Sequence, residues 1–397
     1  MKSLRALPCR TVLVSLLLCA VPGLACDSLS GGHTFWIRLS SPVSSYSSKP
    51  GDSVTAILTE SVECDTEVIF PLGTQIDGVV RSVRKVGFGV RHETAALAIQ
   101  FDRATPPGGS QVAISAAVVE IENAREQVSK GTIQGIRSSD TPQGRINSRL
   151  RHLPTWNPYS DAGLIVFKAA FPIFPEPEIY YPPGTDVRLK LTEPVWSRSP
   201  ASLPLEPDVP ESVASMELES EARSLPTRTT TPALLDADVV NLAFVGSQEQ
   251  IESAFHEAGW VNSDVFSRHS FMRDFYAFLN NSGYSQAPMR PFLLDGKPED
   301  MNWQKSLNSY ARRDHLRIWQ WSDASNSHTV WLSASTHDTG AALSLKHHQF
   351  VHHIQPDIDE ERSKVIRDLS AAGCVQAVHM VPRPGFANNT QNATGDP

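Results

Sequence analysis

PGDSVTAILTESV (50–62) aligns without a gap to PGTDVRLKLTEPV (183–195), and PLGTQIDGVV (71–80) repeats the same opening. Proline fixes φ and the following glycine accepts a positive φ, so each opening predicts a tight turn that launches a strand. Working outward, the neighbouring runs alternate with a period of two. Phe35, Ile37 and Leu39 share one face, as do Val54, Ala56 and Leu58. Leu97, Ile99 and Phe101 follow the rule, and so do Val112, Ile114, Ala116 and Val118. Such alternation, punctuated by turn residues, predicts an antiparallel sheet or barrel. The echo at 183–195 places this domain's last strand near 186–192, far from the others in the chain. Gly87 and Gly89 in VRKVGFGVRHE (83–93) mark the loop of a long hairpin.

The expected organisation is multidomain. At 397 residues the chain exceeds one typical core. Residues 1–25 carry Lys2, Arg5 and Arg10, then the short apolar run TVLVSLLLCA (11–20), then Gly23 and Ala25. That order predicts a signal peptide cleaved after Ala25, with a retained anchor as the alternative. The expected location is therefore outside the cytoplasm, in the periplasm or cell envelope of a bacterium. Residues 33–196 form the all-β, antiparallel, barrel-like domain. Residues 197–237, rich in Pro, Ser, Thr and acidic side chains, read as a disordered linker between two independent modules. Residues 238–381 read as an α+β domain, and 382–397 as a disordered tail.

Within the C-terminal module, VVNLAFVG (239–246) reads as a buried strand. Ser247 and Gln250 predict a capping box on a helix over 248–258, closed by Gly259. A second helical stretch covers about 264–281. Asp357 is expected to cap a last helix with the stripe Ile358, Val365, Ile366, Leu369 and Ala372, stopped by Gly373, and VQAVHMV (375–381) to be a final strand.

Chemistry concentrates in RRDHLRIW (312–319), VWLSASTHDTG (330–340) and FVHHIQPDIDEERSKVIRDLSAAG (350–373). His315, Asp338 and His353 are the residue types of general acid–base work, and Asp357 and Asp359 could hold a metal. Arg313, Arg317 and Arg362 could clamp a phosphate or carboxylate. The same groups also suit structural roles: acids at a helix start answer its dipole, and an arginine can simply pair with a nearby acid. No H-E-x-x-H, C-x-x-C, G-x-S-x-G or P-loop spacing occurs, and the cofactor stays unknown. A net charge of -8 without a Lys/Arg-rich run argues against nucleic acid as a partner.

Three of the five cysteines survive cleavage. Cys26 is either lipidated as the first mature residue or paired with Cys64, and Cys374 reads as a small buried residue. GLIVFKAAFPIF (163–174) reads as a flap over the barrel's end, with contact to lipid or a partner as the alternative.

NLAFVGS (241–247), FHEAGW (255–260), RRDHLRIW, Trp331 through Asp338, and HHIQPDIDEER (352–362) together resemble the C-terminal domain of the LssY family. That family has no settled activity, and its module is often joined to membrane-embedded phosphatase-like or DedA-type domains. Here His337 stands where that pattern leads to Arg. SSPVSSYSSKPGD (40–52), IFPLGTQIDG (69–78) and ALAIQFDRATPPGGSQVAI (96–114) resemble the β-barrel of TrbI-type conjugation scaffold proteins, over about 35–195. That barrel assembles into envelope rings, so the resemblance implies protein partners in the envelope. The leading expectation is an exported envelope protein that binds a partner protein, a lipid headgroup or another anion. The alternative is a hydrolase of a phosphate ester or lipid headgroup.

Overall fold

The structure is a computed structural model. It describes residues 28–64, 67–87, 92–141, 177–196, 225–264, 267–270, 282–322, 329–344 and 349–381, with single positions between 157 and 166 and between 272 and 277. The expected leader, Cys26, the linker as far as residue 224, the tail and most of 163–174 lie outside the described residues.

Six strands close into an antiparallel barrel: β1 (Thr34–Leu39), β2 (Ser53–Leu58), β3 (Gln75–Arg84), β4 (Ala96–Thr105), β5 (Val112–Ile121) and β6 (Asp186–Leu191). Strands β1 to β5 pair in sequence order, except that β1 and β5 meet through β6. β6 is the strand expected from the echo at 183–195, and it removes the last open edge. The inward faces are those read from the alternation, with Ile37, Ala56, Leu58, Leu97, Phe101, Ala116, Val118 and Leu189 fully buried.

The three Pro-Gly openings fold alike. Asp52, Thr74 and Thr185 each donate a backbone N–H to the carbonyl of Lys49, Pro71 and Pro182. Gly51, Gly73 and Gly184 take φ of 95°, 80° and 89°, the left-handed region that a side chain resists. A different need fixes Gly78, where the β3–β4 register shifts. A Cβ there would lie 2.5 Å from the Gln100 carbonyl oxygen. Gly78→Ala is therefore expected to cost about 1–3 kcal/mol, read as a lower urea midpoint at unchanged slope.

The C-terminal module is a six-stranded antiparallel sheet of β7 (Leu242–Val245), β8 (Val261–Asn262), β9 (Met301–Ser306), β10 (Arg313–Ser322), β11 (Val330–Ser344) and β12 (Gln349–Ile354). Its order is β7-β11-β10-β9-β8, and β12 pairs the far half of β11. Helices α1 (Gln248–Glu257) and α2 (Ile358–Ala371) cover one face. There Ile251, Phe255, Trp303, Leu316, Trp331, Val365 and Leu369 form the core, with the Phe255 and Trp303 rings stacked at 5.3 Å. On the other face Trp319, Leu332 and Ala334 pack against Leu225, Val240 and Leu294. No helix among the described residues is long and apolar enough to cross a membrane.

The Ser247–Gln250 capping box is present on α1, and Asp357 caps α2 through the N–H groups of Asp359 and Glu360. Other local expectations need correction. The 239–246 run is interrupted at Val240 and Asn241, and β7 is an edge strand with half its surface open. Residues 228–230 and 236–237, expected in the linker, belong to a small sheet in which 228–230 pairs with 236–239 on one side and with 293–294 on the other. Residues 375–381 form no strand. Cys374 is exposed rather than buried, while Cys64 is disulfide-bonded.

The two parts are not independent. Arg38 of β1 donates to both oxygens of its cross-strand neighbour Asp186 at 2.7 and 3.0 Å, and also to Asp368 of α2 at 2.7 Å. Lys305 of β9 reaches Asp186 at 2.9 Å and Asp368 at 3.0 Å. Lys364 of α2 lies 2.6 Å from Glu122 and 3.0 Å from Asp368. Beside them Asn308 donates to both oxygens of Glu126, which also accepts from Tyr181. A buried polar seam thus joins one side of the barrel to the sheet and to α2.

Candidate functional site at the seam

Strand alternation divides RRDHLRIW between two faces of the sheet. Arg313, His315 and Arg317 point one way, toward the partners Asp338, Thr336 and Ala334 on β11. Asp314 and Leu316 point the other way, opposite His337 and Ser335. Half of the expected constellation, Arg313, His315, Arg317 and Asp338, sits on the first face. Asp338 is wholly buried, accepts from Arg313 Nε at 2.9 Å and lies 2.9 Å from His315 Nε2. Thr336 Oγ1 is 3.1 Å from His315 Nδ1, so both ring nitrogens have partners.

The other expected site residues do not join them. Arg317 is held by Asp238 at 3.0 Å and by the Arg290 carbonyl, with its guanidinium 4.1 Å from the Phe292 ring. Burial lowers its pKa, and Asp238 counters only part of that. Arg362 pairs with Asp359 one helical turn away, at 2.8 Å. Asp357 is engaged as the cap of α2. His353 is exposed on β12, where its carbonyl accepts from Thr339. Of the eight, Arg313, His315 and Asp338 form one buried cluster, Arg362 and Asp359 form a separate surface pair, and the three clustered residues do not line the seam cavity.

That cavity, about 220 Å³, opens on the second face. Trp36, Glu120, Glu122 and Asn123 line it from the barrel, and Arg312, Asp314, His337, Glu361, Lys364 and Arg367 from the module. Asp314 and His337 are cross-strand neighbours, and His337 Nδ1 is 2.5 Å from Asp314 Oδ1. Asn123 Nδ2 donates to Asp314 Oδ2 at 2.7 Å across the seam. Glu361 comes from the first turn of α2 and is buried, and one ligand atom from each of Asp314, His337 and Glu361 lies within 4.8 Å of the others.

The electrostatics follow from burial among charges of both signs. Burial works against ionised Asp314, but His337 and then Lys364 outweigh it and hold the carboxyl well below its usual range. Burial likewise opposes the His337 cation, and Asp314 overcomes it and raises the imidazole. Burial pushes Glu122 up to about 8, with Lys364 pulling the other way and Asp314 and Asp186 adding repulsion. Glu361 rises well above normal through burial and then Asp314. Asp186 and Asp368 also resist desolvation: Lys305 and Lys364 hold the first down, Lys364 and Lys305 the second.

This cluster was not legible in the sequence, because polar positions of a helix ordinarily face solvent. The buried side of α2 is Glu361, Lys364, Val365, Asp368 and Leu369, a charged and apolar stripe, whereas Ile358 and Ile366 are only half-buried. The available signal was the i, i+4 pair Lys364–Asp368 flanking Val365 and Leu369. A second signal was His337, already out of keeping with its pattern.

No curated protein matches the chain. Among solved structures, that of ComB10 of the Com type IV secretion system of Helicobacter pylori is similar over 43% of this chain and 90% of that one, at 12% identity and a TM-score of 0.26. Residues 222–397 match the model of the family described as LssY C-terminus, a resemblance confined to the C-terminal part of the chain.

Proposed function

We propose that this protein is an exported cell-envelope component of binding or scaffold character, in which barrel and LssY C-terminus module act as one body. The observation that carries the reading is the use made of the module's charged groups. Arg317, Asp338, Lys305, Lys364 and Asp368 are engaged in internal ion pairs, and the last three tie the module to the barrel. Such an arrangement presents a rigid composite surface to a partner. The disulfide at Cys64 supports an oxidising compartment, in keeping with the leader-like residues 1–25. Cross-linking in intact cells, followed by fractionation, tests the proposal. The expected result is a chain shortened at its N-terminus, in the envelope fraction, cross-linked to a second protein. Full-length monomer confined to the cytosol contradicts it.

A second reading, hydrolysis of a phosphate ester or lipid headgroup, gains support from one observation. The seam cavity brings the imidazole of His337 together with the carboxyl groups of Asp314 and Glu361 and the cations of Arg312 and Arg367. On this reading His337 is the acid–base group and the arginines face the anion. A phosphatase screen with His337→Gln beside His315→Ala separates the cavity from the buried Asp338 cluster. Activity lost with His337→Gln and kept with His315→Ala supports it, and the reverse pattern removes it.

A further inference from the structure

We infer that Asp314, His337 and Glu361 form a site for one divalent first-row transition-metal cation in the seam cavity. The inference goes beyond the scaffold reading and is independent of whether a partner binds. Three separate elements bring the ligands together: Asp314 from β10, His337 from β11 and Glu361 from α2, their donor atoms within 4.8 Å of one another.

A second observation points to the same place. Glu361 Oε1 and Asn123 Oδ1 are both buried without a hydrogen-bond partner, and both residues line the cavity. Asn123 is 4% exposed and Glu361 is 3% exposed. The amide orientation of Asn123 is fixed, because its Nδ2 faces two acceptors, Asp314 Oδ2 and the Lys305 carbonyl. Its oxygen is therefore the atom left over. Buried oxygens without donors are destabilising, and a cation held by the cluster answers Glu361 Oε1 directly, while Asn123 Oδ1 adds a further unmatched acceptor to the same lining.

The donor set selects the class of ion. One imidazole nitrogen with carboxylate oxygens suits zinc or manganese, whereas magnesium and calcium favour all-oxygen sites. Lys364 does not occupy the position, since its ammonium lies 2.6 Å from Glu122 and 3.0 Å from Asp368 but 3.9 Å from Asp314. Its charge tempers affinity. His337 and Asp314 now share a hydrogen bond, and a bound ion requires them to part to about 3 Å, since each donor stands about 2.0–2.2 Å from the metal. The His337 side chain, 24% exposed on the cavity side, has the freedom to do so.

Isothermal titration of the chelator-stripped full chain with zinc chloride, and separately with manganese chloride, tests the site. One equivalent of either ion is expected. Glu361→Gln and His337→Gln should each weaken binding by about tenfold or more, while His353→Gln on exposed β12 leaves it unchanged. Absence of binding by both ions, or unaltered binding in both cavity variants, overturns the proposal. Should the variants fail to fold, anomalous scattering from crystals of the unsubstituted protein grown with zinc decides. An ion between Asp314 and Glu361 supports the site, and an ion elsewhere or none overturns it.

Discussion

Asp368→Ala is expected to lower stability by about 3–5 kcal/mol, the largest single effect in this molecule, because it strands buried cations. Asp368 is fully buried and accepts from Arg38 at 2.7 Å, Lys305 at 3.0 Å, Lys364 at 3.0 Å and Trp260 Nε1 at 2.9 Å. Removing its carboxylate leaves three positive groups with Asp186 as their main anion, Asp314 3.9 Å from Lys364 and Glu122 beside it, and one indole N–H without an acceptor. Coulomb repulsion among desolvated cations then outweighs any gain from the smaller side chain. Asp368→Asn keeps the volume and one acceptor, so its loss should be smaller but still clear. Equilibrium urea unfolding measures both. An effect of Asp368→Ala below about 1 kcal/mol, typical of an exposed ion pair, would show that the seam is open to water.

The second large effect is on pH. Glu122 is pushed up to about 8, so the folded chain holds that proton more tightly than the unfolded chain does. Its contribution is therefore destabilising above the ordinary carboxylate value near 4.5 and grows until the pH passes about 8. The groups that face it are Lys364 and Arg367 of α2, Asp186 of β6 and Asp314 of β10. Asp186 and Asp368 have the opposite sign. Both are lowered from 3.8, so their stabilisation is full above that value and is lost as the pH falls through their folded values. Stability should then peak in mildly acidic solution, near pH 5, and decline by a few kcal/mol toward pH 8. Melting temperatures from pH 3 to 9, in chelator, trace this curve. Glu122→Gln should make the limb above pH 5 shallower, with raised Glu361 and His337 keeping part of the decline, and a melting temperature that climbs steadily from pH 5 to 8 would contradict the assignment.

The barrel was legible because its physics is local. Alternation in FWIRL, SVTAILT and AALAIQFD sets the inward face directly, and the Pro-Gly turns at 50–51 and 183–184 mark where β2 and β6 begin. Even the closing strand could be placed, because the turn chemistry recurs. Helix ends were equally legible, since Ser247 and Asp357 act on N–H groups two or three residues away. The seam was not. Lys364 and Asp368 read as the solvated side of an amphipathic helix until Asp186 and Arg38 arrive from strands some 180 and 330 residues away. Charge complementarity at that separation leaves no periodic trace. RRDHLRIW shows the same limit at short range: alternation tells that Asp314 and His315 part company, but not which side carries a cavity. His315 faces Asp338 in a buried cluster, and the adjacent Asp314 faces the opening. The expected independence of the two parts fails for the same reason, since a polar linker says nothing about whether the folded units at its ends fit together.

Barrel and module are expected to unfold as one cooperative body because the buried ion network joins them. Differential scanning calorimetry of the full chain tests that most directly. One transition is predicted, with calorimetric and van't Hoff enthalpies equal, shifting as a whole with Asp368→Ala. Two separate transitions, with only the α+β part responding to that substitution, would contradict it.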